Sequence, residues 1–312
     1  MAVTLPPPPP SPIDPAYHPK SAIASLDANS PIEKILEILD RDGGVILTNL
    51  VTEGQLNAMD RDVAACRKKN PVSNSSGIPI IPKETFSIGG LVGKSQTAAD
   101  VCEHPLLEEL RTSILEDRYT IRREEYDEHN RIDPLLSISM TFYIGYGAPR
   151  QRLHRDDNIH GVKHGQKPFQ LNKASQFACL VAGCKTTREN GATMFVPGSH
   201  LWDDDRRPRT DEICFAEMDP GSALIFLGSA YHGGGHNSVP DSIRKVHGFF
   251  FVRGTLRQEE NQFLAIPRSK VLTMSENMQA LLGYRRPTIA LGLVDNQDPL
   301  EDLQGVLERA NQ

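Results

Sequence analysis

Cysteine is sparse in this sequence and carries no pattern. Cys66, Cys102, Cys179, Cys184 and Cys214 form an odd, scattered set with no CxxC pair. That excludes a disulfide framework and a zinc-finger cage, and it points to reduced thiols in a cytoplasmic setting. No apolar run approaches the roughly 20 residues needed to span a bilayer. The opening "MAVTLPPPPPSPIDP" lacks the charged-then-apolar order of a secretory signal. Basic excess is also missing: 34 Lys and Arg against 40 Asp and Glu give a net charge of −6. Such a balance offers no electrostatic footprint for nucleic acid or an anionic membrane. Neither a Ser/His/Asp arrangement nor a paired-glutamate motif is evident.

What is present is a chain of two textures. Residues 1 to 28 are proline-rich without apolar period and predict a flexible arm, followed by a single domain over 29–312. In "SPIEKILEILDRDGG" Ser30 is placed to cap a helix, Pro31 suits its first position and Glu33 completes a capping box. Ile32, Ile35, Leu36 and Leu39 then share one face, and Gly43 ends the helix. "GVILTNL" (44–50) reads as a strand, and Thr52 with Gln55 opens a second helix carrying Leu56, Met59 and Val63. The Pro-, Ser- and Gly-dense residues 70–100, with the sequon Asn74-Ser75-Ser76, predict a long loop or lid. "HPLLEELRTSILED" (104–117) returns to helical spacing.

Beyond it the pattern turns to β. In "LLSISMTFYIG", Ile138, Met140, Phe142 and Ile144 alternate with Ser137, Ser139, Thr141 and Tyr143, the mark of a half-buried strand. "SQFACLVAGC", "ATMFVPGS", "SALIFLGS" and "VHGFFFVRGTL" follow as strands between Gly-, Asn- and Asp-rich turns. A last helix near 274–283 precedes an acidic tail. Helices first and many short strands after predict a β-sandwich or barrel with helices on one outer face.

The chemistry-bearing stretch is "QRLHRDDNIHG". His154 and Asp156 lie two apart on an extended segment, so both side chains leave one face and can converge on one ion. A third ligand must come from another strand. His232, in "FLGSAYHGGGHNS", stands directly after an apolar strand, with His236 and His247 as competitors and His160 and His164 close behind the HxD. Two histidines and a carboxylate on one face of a metal suit a non-haem iron(II) oxygenase. Arg244, twelve positions beyond His232 on the next strand, fits the same chemistry. A buried arginine holds the distal carboxylate of 2-oxoglutarate through paired charge-assisted bonds. The alternative for Arg244 is an exposed charge beside Lys245.

The ordered series "QRLHRDD", "ENGATMFVPGSH", "MDPGSALIFLGSAYHGGG" and "IRKVHGFFF" resembles the phytanoyl-CoA dioxygenase family. Within that family it is most similar to fungal iron/2-oxoglutarate dioxygenases that decorate secondary metabolites. The likeness runs from about residue 32 to 300. It implies a mainly β fold with flanking helices, built on a double-stranded β-helix (the cupin-like jelly-roll). It also implies Fe(II), 2-oxoglutarate and O2 as cofactors, with succinate and CO2 released. Carried over residue by residue, it makes His154, Asp156 and His232 the iron ligands. Arg244 becomes the carboxylate anchor, and Thr193 and Gln151 become cosubstrate contacts. Retention of Asp156, which halogenating relatives replace by a small residue, implies oxidation rather than halogenation, and the fungal likeness implies a lipophilic small-molecule substrate. Pocket walls are expected from 70–95, Tyr143, Asp157 to His160, 201–210 and Phe250. His200 is expected as a structural hydrogen-bonder. A homodimer is expected through 262–300, where Phe263, Leu264, Leu281 and Leu282 look exposed. Two other readings stay open at this level. One is a non-catalytic cupin-like metal or ligand binder closed by a fourth ligand such as His236. The other is a zinc-dependent hydrolase or isomerase on the same residues.

Overall fold

A computed structural model of the chain describes residues 8–69, 81–288 and 291–310. Its first long helix, α1 (Ile32–Asp42), begins one residue later than the capping pattern predicts. Pro31 takes the N-cap position and no side chain caps the helix, so the Ser30–Glu33 box does not form. At the other end Gly43 does stop the helix, at φ 75°, where its missing Cβ also leaves room for the His200 ring. Strand β1 (Ser25–Asp27) precedes this helix and β2 (Gly44–Thr48) follows it. Helix α2 (Glu53–Lys69) opens on a reciprocal box. Thr52 N–H donates to Gln55 Oε1 at 2.9 Å and Gln55 N–H to Thr52 Oγ1 at 3.3 Å.

The segment read as a loop over 70–100 is ordered in its second half. Residues 70–80 lie outside the described residues, but β3 (Thr85–Gly89), α3 (Leu91–Lys94) and α4 (Gln96–Cys102) follow. Ser95 caps α4 by accepting from Ala98 N–H, and Ala98, Ala99, Val101 and Cys102 are buried. Short elements of small residues leave a weak periodic signal, which is why the sequence reads as loop. Helix α5 (Pro105–Leu115) completes the helical layer, and a hairpin of β4 (Asp117–Arg122) and β5 (Asp127–Ile132) leads on. That hairpin is mostly charged, and its pattern gave no strand expectation.

The remaining strands build the jelly-roll: β6 (Leu135–Gly145), β7 (Gln176–Ala182), β8 (Met194–Phe195), β9 (Cys214–Phe215), β10 (Ala223–Leu227), β11 (His232–Gly233) and β12 (Ile243–Val252). The major sheet runs β1-β2-β10-β7-β12-β6-β3, and a minor sheet runs β11-β8-β9. One face of the major sheet, through Phe177, Cys179, Val181, Ile225, Phe249 and Phe251, packs with Ile35, Leu39, Met59, Val63 and Leu107 of the helices. The other face, through Leu180, Phe226 and Val246, packs toward Phe195 of the minor sheet. Strands covered on both faces need no polar side, so β7 and β10 read as continuous apolar runs.

Strand β6 is the exception that alternates, and its polar residues are not in water. Ser137, Ser139 and Thr141 are all fully buried: Ser139 and Thr141 lie on the helix side, and Ser137, where the pairing with β12 shifts register, meets Glu259. Ser139 Oγ accepts from Val92 N–H at 3.2 Å, and Thr141 Oγ1 bonds His247 Nδ1 at 2.9 Å. Its apolar residues Ile138, Met140, Phe142 and Ile144 face a cavity instead. The half-buried expectation is therefore inverted. Tyr143 packs on the helix side, beside Phe86, and is not a cavity wall.

Of the proline-rich arm, residues 1–7 lie outside the described residues. Residues 8–28 lie along the body. A polyproline-like strand satisfies none of its own carbonyls, and here arginines take them. Arg152 donates to Pro8 O and Arg150 to Ser11 O, each at 2.6 Å, and Arg188 donates to Asp14 O at 2.6 Å. Tyr17 Oη donates to Ile213 O at 2.6 Å, and β1 pairs in parallel with β2. After β12 come α6 (Gln262–Ala265), α7 (Arg268–Val271) and α8 (Glu276–Leu281). The acidic tail contains a further helix, α9 (Pro299–Ala310).

Candidate metal centre

The cavity between the two sheets measures about 150 Å3. The chain leaving β6 turns at Gly147 and runs beside β11, with Gln151 N–H donating to Gly234 O at 2.8 Å and Gly234 N–H to Gln151 Oε1 at 2.6 Å. Three residues on, His154 and His232 form an antiparallel bridge. Asp156 opens a 3-10 turn (Asp156–His160), and its N–H donates to Gly228 O at 2.9 Å. Three backbone segments are thus locked together around the three side chains.

The side chains then converge. His154 Nδ1 faces Arg152 O at 2.8 Å and His232 Nδ1 faces Ala230 O at 3.1 Å. A carbonyl can only accept, so each imidazole carries its proton on Nδ1 and turns a lone pair outward on Nε2. Both Nε2 atoms lie 3.4 Å from the same oxygen, Asp156 Oδ1. Asp156 Oδ2 is buried without a hydrogen-bond partner. Burial opposes charge on the carboxyl, yet the attraction of His232 and His154 outweighs it and holds Asp156 below the ordinary carboxylate range. Burial likewise opposes charge on His154, but the hydrogen bond and charge of Asp156 leave it raised. One ligand atom from each of the three lies within 4.8 Å of the others, and no other such group of His, Cys, Asp or Glu occurs among the described residues. Carbonyl-fixed tautomers and an orphaned carboxylate oxygen are what a divalent cation requires. These residues fit an iron(II) ion.

The competing histidines are engaged elsewhere. His236 does not line the cavity, and its ring is not in the convergent group formed by His154, Asp156 and His232, so no fourth ligand joins them among the described residues. His247 lies on the helix side of β12 beside Thr141, and burial pushes it down to about 4. His200 Nε2 bonds Asp40 O at 3.0 Å, the structural role expected of it. His164 is clamped between Asp157 Oδ1 at 2.9 Å and Asp204 Oδ1 at 2.6 Å. Asp157, buried beneath Asp156, also accepts from Ser175 Oγ at 2.8 Å. The 201–210 loop therefore backs this clamp and, like Asp157, does not wall the cavity.

Arg244, Thr193, Gln151 and Phe250 all line the cavity with the triad, as do Ile81, Pro82 and Thr85 from the stretch expected to supply a wall. Arg244 is 3% exposed, and its Nε and Nη1 have no hydrogen-bond partner. Desolvation lowers it to about 10. An unpaired guanidinium buried at this depth is costly unless a ligand anion meets it. Lys245 points the other way by strand alternation and pairs with Asp60 on α2.

Sequence reasoning missed Glu259. It lines the same cavity, where Ser137 Oγ donates to its Oε1 at 3.1 Å and Gln176 Nε2 donates to the same oxygen at 2.9 Å. Desolvation, then the negative charge of Asp156, push this carboxyl up to about 7. Its setting in "RQEENQ" looks like a solvated turn, and nothing local could have singled it out.

Comparison with known proteins agrees with this geometry. A sequence profile described as phytanoyl-CoA dioxygenase matches residues 39–246. The chain is 51% identical over 302 residues to the dioxygenase swnH1 of Arthroderma benhamiae, covering 97% of this chain and 98% of that protein. It is 32% identical to the dioxygenase peniF of Penicillium patulum, covering 87% and 88%. Among solved structures, the non-heme alpha-ketoglutarate-dependent carbocyclase SnoK of nogalamycin biosynthesis is similar in fold at 14% identity. Its TM-score is 0.52, over 74% of this chain and 87% of that one. The iron-bound EctD of S. alaskensis matches at TM-score 0.52 and 15% identity, over 80% and 85%.

Proposed function

This chain belongs to the phytanoyl-CoA dioxygenase family, and from that premise we propose that it is an iron(II)- and 2-oxoglutarate-dependent dioxygenase acting on a lipophilic small molecule. His154, Asp156 and His232 hold the iron, and Arg244 takes the distal carboxylate of 2-oxoglutarate. Thr193 and Gln151 flank the cosubstrate. The observation that carries this reading is the pairing, in one cavity, of three convergent ligand atoms with a buried guanidinium that has unpartnered N–H groups.

When bound, iron with 2-oxoglutarate and O2 supplies the oxidising power, with succinate and CO2 as by-products. The chain's own part is positional. The Arg152 and Ala230 carbonyls fix which nitrogen of each histidine faces the metal. Arg244 fixes the orientation of the cosubstrate from the far end. Ile138, Met140, Phe142, Leu180, Val246 and Phe250 form apolar walls that exclude water and receive a lipophilic substrate. The retained carboxylate of Asp156 keeps a full three-residue ligand set, which favours oxidation of the substrate over halide transfer. Similarity to named fungal dioxygenases supports a secondary-metabolite intermediate as that substrate.

The same reading takes 29–312 as one catalytic domain working as a cytoplasmic homodimer. Among the described residues no helix is long and apolar enough to cross a membrane, and all five thiols are free. Phe263 and Leu264 are 46% and 83% exposed, which supports a contact there, whereas Leu281 and Leu282 belong to the core and drop out of the expected interface.

Anaerobic titration of the metal-free protein with Fe(II) and then 2-oxoglutarate tests the assignment. A weak visible charge-transfer band of the chelated cosubstrate is expected. Its absence from folded protein would favour a metal-binding protein without oxygenase chemistry, or a zinc hydrolase.

A further inference from the structure

The cavity has two polar ends, and only one is needed for the cosubstrate. Arg244 lies opposite Ile144, near the end of β6. Glu259 is tied to Ser137, near the start of the same strand. At about 3.3 Å per residue the intervening strand spans roughly 20 Å. Between Ser137 and Ile144 the cavity side of β6 offers only Ile138, Met140 and Phe142.

The metal ligands sit toward the Glu259 end. Asp156 N–H and Gln176 O bond the carbonyl and the N–H of Gly228 at 2.9 and 2.8 Å, and Gln176 also holds Glu259. Cosubstrate stretched from the metal toward Arg244 would leave the Glu259 side for the molecule to be oxidised.

There the carboxylate stands against apolar walls. Oε1 is fixed by Ser137 and Gln176, while Oε2 has no hydrogen-bond partner among the described residues. Among the described residues no lysine, arginine or histidine forms an ion pair with it, and its side chain is open to the cavity. A carboxylate so placed is poorly matched by a purely apolar ligand or by another anion. An opposite charge repays its desolvation better than a neutral hydroxyl does.

Resting on the dioxygenase reading above, we propose that Glu259 is a substrate-binding residue and that the substrate is a lipophilic amine, bound as its ammonium ion by Glu259 Oε2. Ser137 and Gln176 are the positioning residues that aim this oxygen. The substrate's apolar body then lies along Ile138, Met140 and Phe250 with its reacting carbon toward the triad.

The test uses the full chain loaded anaerobically with Fe(II) and 2-oxoglutarate, titrated separately with cyclohexylammonium and cyclohexanol, two probes of like size. Perturbation of the charge-transfer band, and calorimetry in parallel, report binding. The ammonium should bind at least about ten-fold tighter than the alcohol. Glu259→Gln should erase that preference while leaving the alcohol's Kd within about two-fold, and Glu259→Asp should keep part of it. Melting curves confirm that each variant is folded. Equal binding of the two probes, no measurable ammonium binding at about 10 mM, or an unchanged preference in Glu259→Gln would overturn the proposal. A loaded protein that never develops the band sinks the iron and 2-oxoglutarate reading instead. A Glu259-dependent preference for ammonium in the calorimeter would still uphold the amine site.

Discussion

His154 and His232 exchange both backbone hydrogen bonds, at 2.9 and 3.0 Å, across a single β-bridge. Their rings stand 4.5 Å apart between centroids. The two histidines of the candidate metal centre are therefore aligned by backbone pairing, with Asp156 following on the adjoining 3-10 turn. His154→Ala, Asp156→Ala and His232→Ala should each abolish turnover and weaken iron binding by more than about a hundred-fold. Circular dichroism should remain close to that of the parent. His236→Ala and His247→Ala should keep iron, with His247→Ala losing about 1–3 kcal/mol of stability through the lost Thr141 bond. An inactive His236→Ala beside an active His232→Ala would move the third ligand.

Arg244 invites a quantitative test because its neighbour is a control. Breaking one side of a buried charged pair costs about 3–5 kcal/mol, a loss of at least about a hundred-fold in affinity. Arg244→Ala should raise the KM for 2-oxoglutarate by at least that factor and leave iron affinity nearly unchanged. Lys245→Ala, which removes only the pair with Asp60 on the opposite face, should alter neither. Steady-state kinetics over a wide 2-oxoglutarate range decides this, and a near-normal KM in Arg244→Ala sends the search elsewhere. Arg253 is no substitute, since Asp117 Oδ1 at 2.7 Å and Ala174 O at 2.7 Å already occupy its guanidinium.

The contrast between Arg244 and Glu259 shows what a sequence discloses. His154, Asp156, His232 and Arg244 sit on or beside apolar strands, where a charged residue conflicts with its surroundings and so draws notice. Glu259 lies among polar residues, and only the return of the chain past β6 brings it to the cavity. The same logic covers β6: alternation identified two faces correctly, but which face met protein and which met a cavity depends on the helices packed behind it. The contacts of residues 8–28 were not legible because a proline-rich stretch has no internal hydrogen bonds to predict, and its arginine partners lie more than a hundred residues away.

The proposed homodimer rests on a small apolar surface and is simple to refute. Leu264 is 83% exposed at the end of α6, beside Phe263. Light scattering at micromolar concentration should find a dimer, and Leu264→Asp should shift it to monomer without loss of fold. A parent protein that is already monomeric removes the idea.

His164 makes a pH prediction whose sign follows from its partners. Burial disfavours its charge, but the hydrogen bonds to Asp157 and Asp204 prevail, so its folded pKa is raised above 6.5. A raised histidine contributes stability in full below the unfolded pKa, and that contribution is lost as pH rises through the folded value. The clamp joins the 201–204 loop to the turn that carries Asp156, so its loss should loosen both. His164→Gln should therefore lower Tm markedly at about pH 5.5 and much less at about pH 9, with the two curves converging as the parent imidazolium deprotonates. Measured on metal-free protein, the comparison isolates the clamp from iron binding. A Tm difference that stayed constant across that range would mean His164 is neutral throughout and holds Asp157 by hydrogen bonding alone.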